Sequence, residues 1–269
     1  MAIEGRIAVL GGGNMGSALV KGLIAGGTAG AGQIVVAEKL AAPAEKLRQE
    51  LGVTVVDHPD QVGAVQTVIV AVKPQDFDPA VTALAGTLAP ESLVITLAAG
   101  VPLKRLAGLL PACPHLVRAM PNTPALVGKG VTALAPAPGL PEALLERASA
   151  VFAAVGLVVT VKESLMDAVT GLSGSGPGYA FLFMEALIDA GVAVGLDRAT
   201  ARVLAVGTVA GAAELLMQSG QHPAVLKDMV TSPAGTTVAG LRVLERGGLR
   251  GLVIDAVAAA TDRGHQLGG

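Results

Sequence analysis

Residues 6–16 read RIAVLGGGNMG, an apolar run that breaks into Gly11-x-Gly13-x-x-Gly16 and passes at once into a helical pattern over 14–25. Glycines at this spacing have separate physical tasks where a dinucleotide binds. The first makes the tight turn, the second lets the backbone approach a pyrophosphate, and the third lets helix and strand pack closely. Asn14 and Met15 begin the helix whose free N–H groups and dipole favour the anion. In a chain with 36 glycines the spacing alone is weak, and a tight turn without ligand is the plain alternative. The strand before it and the helix after it favour dinucleotide binding. The next strand candidate, IVVAEK, ends at Glu38. A carboxylate there suits the ribose 2′-hydroxyl of NAD and repels the 2′-phosphate of NADP, although adjacent Lys39 offsets part of that repulsion. The expected cofactor is NADH or NADPH, with Glu38 tilting the expectation toward NADH.

Three more segments end strand candidates: AVKPQ (71–75), LAAGV (97–101) and RAMPNTP (118–124). Strand C-termini form the ligand crevice of an open α/β sheet. This makes Ala71, Val72, Lys73, Pro74, Ala98, Ala99 and Asn122 cofactor-binding candidates, each equally readable as an ordinary strand–helix connection. Later in the chain, GLSGSGPGY (171–179) and KDMVTSPAGTTVAGLRVLE (227–245) stand out. Ser232, Gly235, Thr236 and Thr237 lie just before or within a helix start, where hydroxyls and free amides can receive a carboxylate. Capping of the helix by Ser or Thr is the plainer reading of the same residues.

Positioning these segments falls to eight strand candidates: 6–10, 34–38, 53–56, 67–72, 92–97, 116–119, 131–135 and 157–161. Several are continuous apolar runs, as strands covered on both faces require. Helical patterns such as 41–51 and 141–154 alternate with them, which predicts a doubly wound, mostly parallel Rossmann-type sheet. Beyond residue 162 the Val/Ile runs stop, and Ala/Leu-rich helical patterns follow at 177–194, 198–218, 235–246 and 248–265. The expected organisation is α/β: a dinucleotide-binding domain over 1–162 and an all-helical domain over 163–269. Pro177 suits the start of the first of these helices.

Composition limits the partners. Hydrophobic residues make up 52% of the chain and charged residues 15%, yet the longest uncharged run, 168–184, holds four glycines and a proline. No segment is expected to cross a membrane. The apolar excess, mostly Ala, Val and Leu, is instead expected to be buried between helices, including those of a second subunit. Nineteen basic against twenty-one acidic residues, with no basic stripe, gives no footprint for nucleic acid. Cys113 is the single cysteine, so neither an internal disulfide nor a thiolate metal cluster is expected. The first residues enter a strand pattern without signal-peptide architecture, which makes the cytoplasm the expected location. Histidines 58, 115, 222 and 265 lie outside the motifs; His58, just past the third strand, is expected at the surface rather than against an adenosine.

Taken together, GGGNMG, AVKPQ, LAAGV, RAMPNTPALVGKG, GLSGSGPGYAF and HPAVLKDMVTSPAGTTVAGLRVLE resemble, in order and spacing, the pyrroline-5-carboxylate reductase family. The resemblance runs from residue 6 to about 260. It implies reduction of the cyclic imine 1-pyrroline-5-carboxylate to L-proline by hydride transfer from NAD(P)H. It also implies an intertwined dimer through the helical domain, often assembled into decamers, with cofactor and substrate loop contributed by different protomers. Ser232, Gly235, Thr236 and Thr237 would line the imine-acid pocket, with Thr237 bonded to the ring nitrogen. The family often has glycine where this chain has Ala234, and alanine where it has Gly178; Glu38 departs from members that prefer NADPH. A hydroxyacid dehydrogenase of the 6-phosphogluconate type shares the plan and a G-x-x-G-x-G, here Gly171, Gly174 and Gly176. It then needs a lysine and an asparagine where this chain has Ala180 and Met184. A nucleotide sensor without catalysis would need no hydroxyl-rich second segment.

Overall fold

The computed structural model describes residues 2–268. Eight strands form one sheet: β1 (Ile7–Leu10), β2 (Ile34–Ala37), β3 (Thr54–Val56), β4 (Val65–Val70), β5 (Leu88–Thr96), β6 (Leu116–Met120), β7 (Gly130–Pro136) and β8 (Gly156–Thr160). Their order is β3-β2-β1-β4-β5-β6-β7-β8, and every pair is parallel except β6–β7. That exception has a simple cause. Only residues 121–129 join β6 to β7, too few for the crossover of a dozen or more residues that a parallel pair needs.

Helices α1 (Asn14–Ala25), α2 (Ala41–Leu51), α3 (Phe77–Leu84), α4 (Leu103–Leu109) and α5 (Glu142–Ala153) separate the strands. Val9, Ile69 and Ile95 pack with Leu19, Leu23 and Phe152 in one cluster, while Leu10, Val68 and Val94 pack with Phe77, Leu84 and Leu106 in another. Alternate residues of the same strands thus feed two cores, which is why these strands read as unbroken apolar runs. α3 and α4 are too short for their periodicity to show in the sequence.

The segment after β8 is helical earlier than Pro177. A 3-10 turn at Glu163–Leu165 leads into α6 (Met166–Val169), a π turn at Thr170–Gly174, and α7 (Gly176–Ala193). The Ser175 N–H donates to the Thr170 carbonyl at 2.8 Å, the i→i+5 bond of a π turn.

By contacts the described chain divides into two compact units, one of residues 2–175 with 259–268 and one of Gly176–Ala258. The second contains α7, α8 (Arg198–Ser219), α9 (Pro223–Met229), α10 (Thr236–Arg246) and most of α11 (Leu249–Gly268). α7 and α8 approach closely: a Cβ placed on Gly191 would lie 2.9 Å from the Ala201 Cβ. Little else is covered there. Ala201 and Ala205 are buried, whereas Phe181, Leu182, Val203 and Ile254 are each more than 60% exposed. Against the expectation that no segment qualifies, α8 is long and apolar enough to cross a membrane. Arg202 and Glu214 inside the helix cut its uncharged stretch to 203–213, so a search for uncharged runs passes over it.

Candidate active site

The strand order reverses between β1 and β4, and a crevice opens where their C-termini part. Gly11 follows β1 with φ +99°, and a Cβ there would stand 2.8 Å from the Ala71 carbonyl oxygen at the end of β4. A Cβ on Gly16 would collide with the Gly11 carbonyl. Gly13 caps α1, no side chain bonds to the cap, and a Cβ on Gly13 would meet nothing within 4 Å. The turn is therefore packed tight beneath and open above, as a pyrophosphate cradle must be.

Glu38 leaves the end of β2 and folds back over the turn. Its carboxylate accepts the Gly12 N–H and the Leu40 N–H, each at 2.8 Å. A cavity of about 480 Å³ is lined by Gly11, Gly13, Glu38, Ala71, Val72 and Lys73, so six of the residues singled out from the sequence come together. Asn14 lines a separate hollow with Ser17 and Lys21. Gly16 is buried beneath the turn, Met15 packs against the core, and Pro74 opens the 3-10 turn Pro74–Asp76. Ala98 is buried and Ala99 half-buried just past β5. The Asn122 side chain is held at both ends: its Nδ2 donates to the Ser173 carbonyl at 3.2 Å, and its Oδ1 accepts the Val131 N–H at 2.8 Å. It ties the loop after β6 to the π turn.

Sequence reasoning did not assign Asp57, His58 and Asp76 to the cavity, yet all three line it. His58 is solvent-exposed as expected, with Nδ1 2.8 Å from Asp60, but it stands at the cavity rim. The rule that ligands gather at strand C-termini, applied to β3 as well as to β1 and β2, would have found 57–58. Lys39 Nζ lies 2.7 Å from Asp76 Oδ1, and that bond raises the lysine pKa above its usual value. Cys113 is buried, donates from Sγ to the Ser92 carbonyl, and has its thiol pKa pushed up by burial, so it is no nucleophile.

In the helical unit, α10 begins at Thr236 with Gly235 as its cap, and no side chain caps it. The expectation of a Ser or Thr cap is overturned: Ser232 sits three residues too early, and both threonines lie inside the first turn. The hydroxyls and first-turn amides are left facing outward, with Ser232 and Thr236 exposed and Thr237 half-buried. The turn before it is strained. Ala234 has φ +58°, the sole positive value at a non-glycine position among the described residues. A side chain in the left-handed region costs about 1–2 kcal/mol. Ala234→Gly is therefore expected to raise the unfolding free energy by roughly 0.5–1 kcal/mol after glycine's entropy is set against the relief. Urea unfolding at fixed protein concentration measures it, and a lower midpoint would contradict the strain.

Comparisons with known proteins match both halves. Residues 163–267 fit the family model described as pyrroline-5-carboxylate reductase dimerisation, and residues 6–100 fit NADP oxidoreductase coenzyme F420-dependent. A pyrroline-5-carboxylate reductase of Synechocystis is 46% identical, with 98% of each chain covered. The chain belongs to the pyrroline-5-carboxylate reductase family. A Mycobacterium tuberculosis family member is 45% identical over 97% of this chain and 96% of its own. The Coxiella burnetii reductase structure superimposes with a TM-score of 0.93 at 37% identity, covering 98% of this chain and 99% of that one. The Plasmodium falciparum structure, solved with NADP bound, gives 0.87 at 27% identity with both chains fully covered. With the family comes NAD(P)H-dependent oxidoreductase chemistry on a small molecule, and the matched dimerisation segment makes the chain a homo-oligomer.

Proposed function

We propose that the chain reduces 1-pyrroline-5-carboxylate to L-proline, using NADH or NADPH held in the crevice beside β1, in the cytoplasm. The observation that carries this is the pairing of two built features: an open glycine cradle at α1 and an uncapped, hydroxyl-bearing N-terminus at α10. The cradle fits a dinucleotide, because Gly13 leaves room above the α1 amides and Glu38 already accepts hydrogen bonds at the place a ribose would occupy. Bound NAD(P)H supplies a hydride. The protein's own contribution is positioning, since a protonated cyclic imine is already electrophilic and needs no strong acid beside it.

In this reading the first-turn amides of α10 hold the substrate carboxylate, Ser232, Gly235 and Thr236 shape the pocket, and the Thr237 hydroxyl bonds the ring nitrogen. Gly16 sets the helix against the strand, while Ala71, Val72, Lys73, Pro74, Ala98, Ala99 and the Asn122 backbone wall the nicotinamide half. Residues 1–162 bind the cofactor and 163–269 bind substrate and dimerise. The exposed apolar faces of α7 and α8 are what a second protomer covers, so each site combines cofactor from one protomer with the α10 segment of another. Five such dimers would make the decamer that the resemblance implies. Purified protein mixed with 1-pyrroline-5-carboxylate and either reduced cofactor should consume the 340 nm absorbance and form proline. Folded protein that binds a cofactor yet forms no proline would overturn the assignment.

A further inference from the structure

We infer that Asp76 is a cofactor-selecting residue: by holding the Lys39 ammonium it withholds that cation from a 2′-phosphate and so favours NADH over NADPH. This rests on the reading of the glycine turn and Glu38 as the dinucleotide site.

Lys39 directly follows Glu38 beyond β2, while Asp76 closes the 3-10 turn after β4; the two are 37 residues apart in sequence. They meet at 2.7 Å, and both line the cavity. The remaining charges there reinforce the pair. Asp57 adds a carboxylate to the lining, and His58 is paired with Asp60. Glu38 is held over the turn by two backbone amides. Lys73, which like Asp76 follows β4, also lines the cavity, and the Lys39→Met background used below separates its contribution from that of Lys39.

A phosphate beside the ribose needs a cation, and lysine serves as a point charge for it. To recruit Lys39, the phosphate must displace Asp76 and leave that carboxylate uncompensated beside a dianion. A ribose hydroxyl makes no such demand. The pair is largely exposed, 66% and 37% for the two side chains, so its own strength is small and the selectivity it adds is correspondingly modest. Glu38, which would face the phosphate directly, carries the larger share.

The test measures binding of adenosine 2′,5′-bisphosphate and adenosine 5′-monophosphate to the intact oligomer by calorimetry, alongside kcat/KM for NADPH and NADH. Asp76→Asn should raise the bisphosphate-to-monophosphate affinity ratio about fivefold, with a parallel shift in the kinetic ratio. Asp76→Glu should restore the original ratio, and Lys39→Met should remove the gain from Asp76→Asn. Glu38→Arg should move the ratio further in the same direction. If Glu38→Arg moves it and Asp76→Asn does not, Asp76 has no part in selection while the dinucleotide site stands. A gain that persists in the Lys39→Met background would overturn the route through Lys39. If neither nucleotide binds, or Glu38→Arg also changes nothing, the cavity is not the adenosine site and the reading beneath falls with it.

Discussion

Gly13→Ala and Gly16→Ala, three residues apart in one turn, are expected to fail in different ways. At Gly13 an added Cβ meets no protein atom within 4 Å, and the backbone, at φ −67°, is one any residue adopts. The variant should fold with wild-type stability and place a methyl where the pyrophosphate must approach the amides of α1. Loss of that contact is expected to weaken NAD(P)H binding about 100-fold, or about 2.7 kcal/mol. At Gly16 the Cβ collides with the Gly11 carbonyl, so α1 must lift away from β1. Overpacking of this kind costs about 1–3 kcal/mol in stability, and it also moves the helix N-terminus that would hold the anion. Cofactor titration and thermal unfolding of both variants give the comparison. A Gly13→Ala variant that binds NADH as well as wild type would mean the open space above the turn is not where the pyrophosphate lies.

The reason this turn could be read from sequence is that its constraints are local. The positive φ of Gly11 and the press of Gly16 on the Gly11 carbonyl both arise within residues 11–16, so two of the three glycines are fixed by constraints internal to the segment. The strands were legible for a related reason: burial on both faces removes polar residues from the whole run, as in Val68–Val70. What stayed hidden depends on residues far apart. The Lys39–Asp76 pair joins the segments that follow β2 and β4, which flank β1 on its two sides in the strand order. The GLSG of GLSGSGPGY lies in the π turn Thr170–Gly174, where Met120 from the end of β6 stands against Gly174, a contact between residues 54 positions apart. Ala234 was visible as a departure from the family's glycine, but a small-for-small exchange carries no sign of backbone strain until φ is known.

Thr237→Val is the sharper test of the substrate half. The exchange keeps the β-branched shape and removes one hydroxyl, and Thr237 does not cap α10, so the helix has no bond to lose. Stability should therefore stay within about 0.5 kcal/mol of wild type, as for a surface exchange with no special role. If the hydroxyl bonds the ring nitrogen as hydride arrives, its loss removes a hydrogen bond to a charged group, about 1.5–3 kcal/mol. That corresponds to a fall of roughly 10–100-fold in kcat/KM for 1-pyrroline-5-carboxylate. The fall should appear in kcat as well as KM, since an interaction that strengthens toward the transition state lowers both kcat and kcat/KM when removed. NADH affinity, governed by the turn at β1, should not follow it. Thr237→Ser restores the hydroxyl without the methyl and should recover most of the rate; a role in rotamer or packing would reverse the order, with serine impaired and valine near wild type. Turnover by Thr237→Val at the wild-type rate would make the hydroxyl structural and leave the uncapped amides of α10 as the whole of the substrate contact.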